Sequence, residues 1–501
     1  MESIPASGTA AYRAVSEGVV GNTMPGMPPV DRGTAADGVT MRDTLVRMRA
    51  AANADRIPSR DVRRRRLDTL RRMVIGNREA IARAIDADFG GRPVKETELL
   101  EIVPLLGAIR HSSGHLGRWM RDERRAPSLA FRGGRAWVRH EPLGVVGVVS
   151  PWNFPLLLCL GPLVDALAAG NRAMVKPSEL TPRFSALLER LVADVFGADE
   201  VTVVTGDVEV ARAFTALPFD HLVFTGSTTV GRHVMRAAAE NLTPVTLELG
   251  GKSPAIVAPD YPEEKAAASI AHGKFLNAGQ ICIAPDYVLA PEGREEAFAR
   301  AILCAAEASY PSAPRNAEYA NIITERHRTR LEDAIAEARA AGATVMRPDG
   351  SGGAENEGKM PPTVVLGAPE DSVLMREEIF GPVLPIVSYR DLDEALRIVN
   401  GRDRPLALYA FTNDRSVQRR ILDGAISGGV TLNGTIAHIA QENLPFGGVG
   451  ASGMGAYHGR DGFRRFTHAR SVFKPGPVDA FALLRPPYGR FADLAIRIFG
   501  R

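Results

Sequence analysis

Apolar positions change period along this chain, and the changes divide it. Behind Ser59, Val62, Leu67, Leu70, Val74, Ile81 and Ile85 fall near helical spacing, which predicts one helix over 59–87. The run Arg63, Arg64, Arg65, Arg66 lies on that helix and reads as a solvated face. From Pro142 to Val164 no residue is charged, long enough to span a bilayer. However, Pro142, Pro151, Pro155 and Pro162 interrupt the run, and Ser150, Trp152 and Asn153 stand in its middle. Lipid could not satisfy so broken a backbone, so the run reads as a buried strand over 144–149, a turn, and a buried helix over 155–169.

Strand and helix patterns alternate from there. Strands are predicted at 172–175, 201–204, 221–224 and 245–247, with helices at 182–196, 209–215 and 229–240. Such alternation implies a parallel, doubly wound sheet. A second α/β stretch follows, with strands at 255–257, 287–290, 363–366, 384–388, 408–411 and 429–432. Residues 1–40 lack periodicity and any basic-then-apolar leader, and read as a mobile extension. Near the other end, Phe491, Leu494, Ala495, Ile498 and Phe499 keep helical spacing beside Arg490, Arg497 and Arg501. This basic amphipathic helix is too short to span a membrane; packing on its own protein or a dimer partner is favoured over a membrane surface.

Composition narrows the class. At roughly 150 residues per domain, 501 residues suggest about three domains. With 45% apolar and 24% charged residues the chain is ordinary globular, neither mainly disordered nor collagen-like. A net charge of +3, from 61 basic and 58 acidic residues, is too balanced for a nucleic-acid partner. Cys159, Cys282 and Cys304 are far apart, which excludes a disulfide framework or Cys-rich zinc site and fits a reducing, cytoplasmic setting. His438 and His458 are isolated and read as structural; no metal site is expected. Glu325, His327 and Arg328 read as a helix start, and no Gly-x-Ser-x-Gly elbow marks a serine hydrolase.

Polar clusters follow the predicted strands, where open α/β sheets bind ligands. Lys176-Pro177-Ser178-Glu179 follows one strand, and Thr225-Gly226-Ser227-Thr228-Thr229-Val230-Gly231 follows another and opens a helix. The second loop can hold phosphate on free N–H groups or be a plain helix start. Cys282, in Gly279-Gln280-Ile281-Cys282, sits in a turn between helix and strand, where nucleophiles often stand. Cys159 and Cys304 lie in helices and read as core residues. Glu248, in Leu247-Glu248-Leu249-Gly250-Gly251-Lys252, is a general-base candidate if burial raises its pKa, or an ion-pair partner of Lys252. Asn153 can donate to an oxyanion or cap the next helix. Glu378, in Glu377-Glu378-Ile379-Phe380-Gly381-Pro382, can accept from ribose hydroxyls or belong to a surface acidic pair.

Taken in order, these pieces with Pro151-Trp152-Asn153-Phe154-Pro155 and Phe224-Thr225-Gly226-Ser227 resemble the NAD(P)-dependent aldehyde dehydrogenase superfamily from about residue 45 to 475. The stretches from Cys282 to Tyr287 and from Pro445 to Gly459 resemble its class 3 branch, and within it bacterial coniferyl aldehyde dehydrogenases. The resemblance implies Cys282 as nucleophile, with its thiolate favoured by the site. Asn153 and the Cys282 N–H would hold the oxyanion, and Glu248 would activate the hydrolytic water. It places Ser150, Trp152, Lys176, Glu179, Gly226, Ser227, Gly231, Glu378 and Phe380 around the cofactor, with NAD favoured because Glu179 repels a 2′-phosphate, and NADP also accepted.

The implied fold is α/β: a doubly wound cofactor domain over 41–247 with a bridging hairpin at 130–141, a catalytic domain over 248–429, a bridging segment over 430–475 and a tail over 476–501. A homodimer is expected. The substrate class is an aromatic aldehyde such as coniferyl aldehyde, or a medium or long aliphatic one. The alternatives are a CoA-acylating enzyme, against which Glu248 argues, and a catalytically silent member of the fold.

Overall fold

The computed structural model describes residues 40–128, 131–348, 358–477 and 485–500; the extension expected over 1–40 lies outside them except for Thr40. Thr40 caps the helix Met41–Ala54. The helix expected over 59–87 is two: α1 (Arg60–Gly76), capped by Ser59, and a second at Arg78–Phe89, separated at Asn77. The arginine run on α1 is not a solvated face. Arg63 and Arg66 are buried, while Arg64 and Arg65 are exposed. Positions three apart share a helix face, and here that face turns inward. The Arg63 guanidinium donates to the carbonyls of Ala168 and Ala169 at 3.1 and 2.7 Å, and Arg66 pairs with Glu200 at 3.0 Å. Arg63 thereby satisfies the free carbonyls of the helix that ends at Ala169.

Three antiparallel strands form one sheet: β1 (Glu123–Arg125), β2 (Arg135–Pro142) and, late in the chain, Thr467–Lys474 paired along the whole of β2. A six-stranded sheet follows. It contains β3 (Val145–Val149), β4 (Arg172–Lys176), β5 (Val201–Val203), β6 (His221–Thr225) and β7 (Val245–Glu248), all parallel. β3 is flanked by β4 on one side and β6 on the other. The strand order therefore reverses at β3, which places a binding crevice at the carboxyl ends of β3 and β6. The helix α2 (Pro155–Ala169) crosses from β3 to β4, and α3 (Thr228–Ala239) from β6 to β7. β3, β4 and β6 are buried along their whole length, as a parallel sheet covered on both faces requires.

The chain then crosses, over residues 249–253, to a seven-stranded sheet. Its parallel strands are β8 (Pro254–Val257), β9 (Tyr287–Pro291), β11 (Thr363–Leu366), β12 (Val383–Tyr389), β13 (Ala407–Phe411) and β14 (Gly429–Leu432); β10 (Thr344–Met346) is antiparallel at the edge. The order reverses at β8, between β9 and β13. β15 (Gly453–Met454) returns to pair antiparallel with β7, setting Gly453 opposite Glu248. α4 (Glu263–Phe275) leads to the Cys282 loop, and α5 (Gly459–Arg465) precedes β16 (Thr467–Lys474). The terminal helix α6 (Arg490–Phe499) forms, with Phe491, Leu494 and Ile498 exposed. Among the described residues no helix is long and apolar enough to cross a membrane.

Candidate active site

The fold brings Asn153, past the carboxyl end of β3, and Glu248, at the end of β7, toward the loop that carries Cys282. After α4 the chain makes a tight turn in which Asn277, Ala278 and Gly279 all have positive φ, at 49°, 50° and 73°. Three left-handed residues in succession are costly and persist only where contacts hold them. A Cβ on Gly279 would lie 2.3 Å from the carbonyl oxygen of Gly381, so this position accepts only glycine. Gln280 staples the turn from inside: its amide donates to the carbonyls of Asn277 and Asn321 at 3.0 and 2.9 Å and accepts from the Ile323 N–H at 3.0 Å. The Tyr409 hydroxyl donates to the carbonyl of Ile283, just past the cysteine.

Asn153 does not cap the helix that follows it; Phe154 is the N-cap of α2 and its own side chain offers no cap. Instead its Nδ2 donates to the Gln280 carbonyl at 3.1 Å. The amide carries two N–H donors, so one remains for a substrate. The main-chain carbonyl of Asn153 accepts from Arg92 at 3.2 Å and from Asn277 at 3.1 Å. Arg92 pairs at 2.8 Å with Glu101, both side chains fully buried. Glu101 lies in a single π-helical turn, Glu98–Ile102. Its other oxygen accepts the first free N–H groups of α2, from Leu156 and Leu157, at 2.8 and 3.1 Å. Thus a buried carboxylate caps α2 and an arginine ties it to Asn153. Sequence reasoning missed this pair, because Arg92 and Glu101 have no spacing that marks them.

Glu248 ends β7, only 2% exposed, and neither carboxylate oxygen has a hydrogen-bond partner among the described residues. Lys252 does not pair with it; Lys252 binds Asp286 and the carbonyls of Leu374 and Glu377. Burial holds the Glu248 carboxyl well above the usual range, opposed by the charge of Arg465. Cys282 is half-buried, and its surroundings do not lower the thiol's pKa. Burial, then the charges of Glu378 and Glu248, push its pKa up, against the N–H groups of Cys282 and Ile283. Of the other thiols, Cys159 is buried as expected, whereas Cys304 is exposed rather than part of the core.

The candidate cofactor residues line the crevice from several sides. Ser150 follows β3, with its hydroxyl 2.7 Å from the Cys159 sulfur. Trp152 packs edge-on to Phe380 at 5.4 Å and to His327 at 5.2 Å. Phe380 itself has φ 50°. Lys176, at the end of β4, is buried and donates to the Pro177 carbonyl at 2.8 Å, while Glu179 beyond it is exposed. Gly226 follows β6, Ser227 caps α3 by accepting from the Val230 N–H, and Gly231 lies in its first turn with no room for a Cβ against Leu249. Glu378 lies against Gly250, where a Cβ would meet its oxygens at 2.0–2.2 Å, and its Oε1 is sealed from solvent without a partner.

Asp286 fixes the Glu378 loop from below, accepting from the Ile379 N–H at 3.0 Å. A capped helix start, a buried ammonium and an unpaired carboxyl acceptor fit a dinucleotide's phosphate and ribose groups. Among the described residues no group of His, Cys, Asp or Glu could hold a metal ion.

A cysteine on a strained loop and a buried carboxylate with free oxygens, near strand ends where open α/β sheets bind ligands, suit an enzyme, and residues 34–472 match the aldehyde dehydrogenase family: the chain belongs to it. It is 47% identical over 92% of its length to a probable coniferyl aldehyde dehydrogenase of Caulobacter vibrioides, covering 97% of that protein. It is 38% identical to the dimeric NADP-preferring aldehyde dehydrogenase of Rattus norvegicus, over 86% of this chain and 94% of that one. Among solved structures, the substrate-bound Staphylococcus aureus AldH superposes with a TM-score of 0.87 at 35% identity, over 92% of this chain and all of that one. The protein is an NAD(P)-dependent aldehyde dehydrogenase that oxidises an aldehyde to the carboxylic acid.

Proposed function

We propose that the substrate is an aromatic aldehyde of the coniferyl type, oxidised to its acid by Cys282, Glu248 and Asn153 in the roles that follow. The Cys282 sulfur attacks the aldehyde carbon, its proton passing to Glu248 through a water molecule as the S–C bond forms and returning to solvent before hydrolysis. The free N–H of Asn153 and the N–H of Cys282 receive the oxyanion; Arg92 and Asn277 hold Asn153 in place for this. The bound nicotinamide supplies a hydride acceptor. Glu248 then deprotonates the water that hydrolyses the thioester.

The observation that carries this reading is the pair of unpaired oxygens on buried Glu248. A structural carboxylate that deep would be bonded. Free acceptor oxygens suit the activation of a water, which supports water over CoA as the group that resolves the thioester. Lys176 and Glu179 serve the adenosine ribose, Gly226, Ser227 and Gly231 the pyrophosphate, and Glu378 with Phe380, Trp152 and Ser150 the nicotinamide side. NAD is favoured over NADP because the exposed carboxylate of Glu179, three residues past Lys176, would repel a 2′-phosphate.

The six-stranded sheet is proposed as the cofactor domain, the seven-stranded sheet as the catalytic domain and the β1-β2-β16 sheet as a bridging element between two copies of the chain, in the cytoplasm. A panel of aromatic and long aliphatic aldehydes with NAD and NADP tests this. Acid formed without CoA, fastest from coniferyl aldehyde, is the expected result. Undiminished turnover in Cys282→Ala would overturn the nucleophile assignment.

A further inference from the structure

Glu248 has a charged neighbour that the family reading does not use. Arg465, the last residue of α5, donates from Nε to the Thr246 hydroxyl at 2.7 Å and from Nη2 to the Val245 carbonyl at 2.5 Å. Thr246 and Glu248 are two apart on β7, so their side chains leave the same face of the sheet. The guanidinium is further pinned by Gly455, where a Cβ would sit 2.6 Å from Nη2. Gly455 itself follows β15, which sets Gly453 opposite Glu248. Arg465 is therefore held at a fixed place along the face that carries Glu248, while both Glu248 oxygens stay unbonded.

We propose that Arg465 is a positioning residue for the general base, supplying a fixed positive charge that keeps the buried Glu248 carboxylate ionisable without occupying its oxygens. A direct ion pair would consume the lone pairs that must receive the proton of water. A charge one residue pair away along the strand leaves them free. The other groups facing Glu248 supply no such charge. Cys282 rests as a thiol, and Tyr457, on the loop before α5, is neutral, its hydroxyl pushed up first by burial and then by Glu248 and Cys282. His221 of β6 reaches the same Thr246 hydroxyl at 2.8 Å and is held neutral by burial and by Arg465 itself. Among the described residues Arg465 is the one charge that opposes the burial of Glu248.

The proposal rests on Glu248 being the base, and the test separates the two. The pH dependence of kcat and the pre-steady-state NADH burst are measured for the intact enzyme, Arg465→Gln, Arg465→Lys, Thr246→Val and Glu248→Gln. Hydride transfer precedes hydrolysis, so the burst reads folding and acylation while kcat reads the base. In Arg465→Gln the acid limb of kcat is expected to move up by about one pH unit, with a burst still present. Arg465→Lys should restore most of the shift, and Thr246→Val should show a smaller shift in the same direction.

If Arg465→Gln shows no burst, Thr246→Val decides by the presence or absence of its shift. An acid limb unmoved in both variants, with Glu248→Gln inactive in steady state, overturns the role of Arg465 alone. Full steady-state turnover in Glu248→Gln overturns the base assignment itself.

Discussion

Lowering the pH should weaken cofactor binding through one side chain. Burial, then the charge of Asp286, pushes the Glu378 carboxyl up to about 8, against the Gly251 N–H and the cations Lys252 and Arg330. In its proposed role Glu378 accepts from ribose hydroxyls, which calls for the ionised form. The site must then give up a proton to bind. With a pKa of about 8, about one site in ten is ionised at pH 7 and about nine in ten at pH 9, so the apparent Kd should fall roughly eightfold to tenfold between them.

Lys274, buried behind the same loop and held at about 8 by burial, loses its own charge in this range and works against the trend. Glu378→Gln separates the two, because only the Lys274 contribution survives in it. Calorimetry at pH 7 in two buffers of different protonation enthalpy should show release of nearly one proton per cofactor bound, and none in Glu378→Gln. Equal Kd values at pH 7 and 9, with no buffer-dependent heat, would refute the argument. The same shift has a sign for stability. A carboxyl raised in the folded state favours folding at low pH, so its contribution is lost as pH rises through about 8, and Glu378→Gln should flatten that part of a melting-temperature profile.

Three further outcomes follow from the geometry. Gly279→Ala must place a Cβ 2.3 Å from the Gly381 carbonyl at φ 73°, so the Cys282 loop should shift and the NADH burst fall by orders of magnitude, with melting temperature read in parallel. Glu101→Ala leaves Arg92 buried and unpaired and uncaps α2; a loss of about 3–5 kcal/mol in denaturant unfolding is expected, and Glu101→Gln should lose less. Arg63→Met frees the carbonyls of Ala168 and Ala169 at the end of α2, for about 2–3 kcal/mol by the same measurement; an unchanged midpoint would show that water replaces the guanidinium.

The parallel strands of both central sheets were legible because strands buried on two faces read as short apolar runs, and those from β3 to β9 fall within a residue or two of expectation; the antiparallel edge strands β10 and β15 were not foreseen. The helix over 59–87 was misjudged because a single Asn77 breaks a pattern whose periodicity continues past it. The arginine run was misjudged for another reason. Composition counts charge, but helix geometry turned Arg63 and Arg66 inward to unpaired carbonyls that no local pattern reveals. At the site, Cys282, Glu248 and Asn153 were candidates through their turns and strand ends, and the family resemblance singled them out. Arg92, Glu101 and Arg465 did not, since each acts on a residue far away in sequence: Glu101 on Leu156, Arg465 on Thr246. The direction in which the Cys282 thiol is shifted was also beyond reach, because it depends on burial and on the charges of Glu378 and Glu248, which the fold brings from other segments.

The crossing over residues 249–253 separates the proposed base from the proposed nucleophile. Glu248 ends the last parallel strand of one sheet, and Cys282 precedes the second strand of the next. A recombination joint placed inside those five residues would draw Glu248 from one parent enzyme and Cys282 from another. Capture rate and release rate should then be inherited separately, so shuffled libraries cut there could yield enzymes that oxidise quickly yet discharge their acyl group slowly.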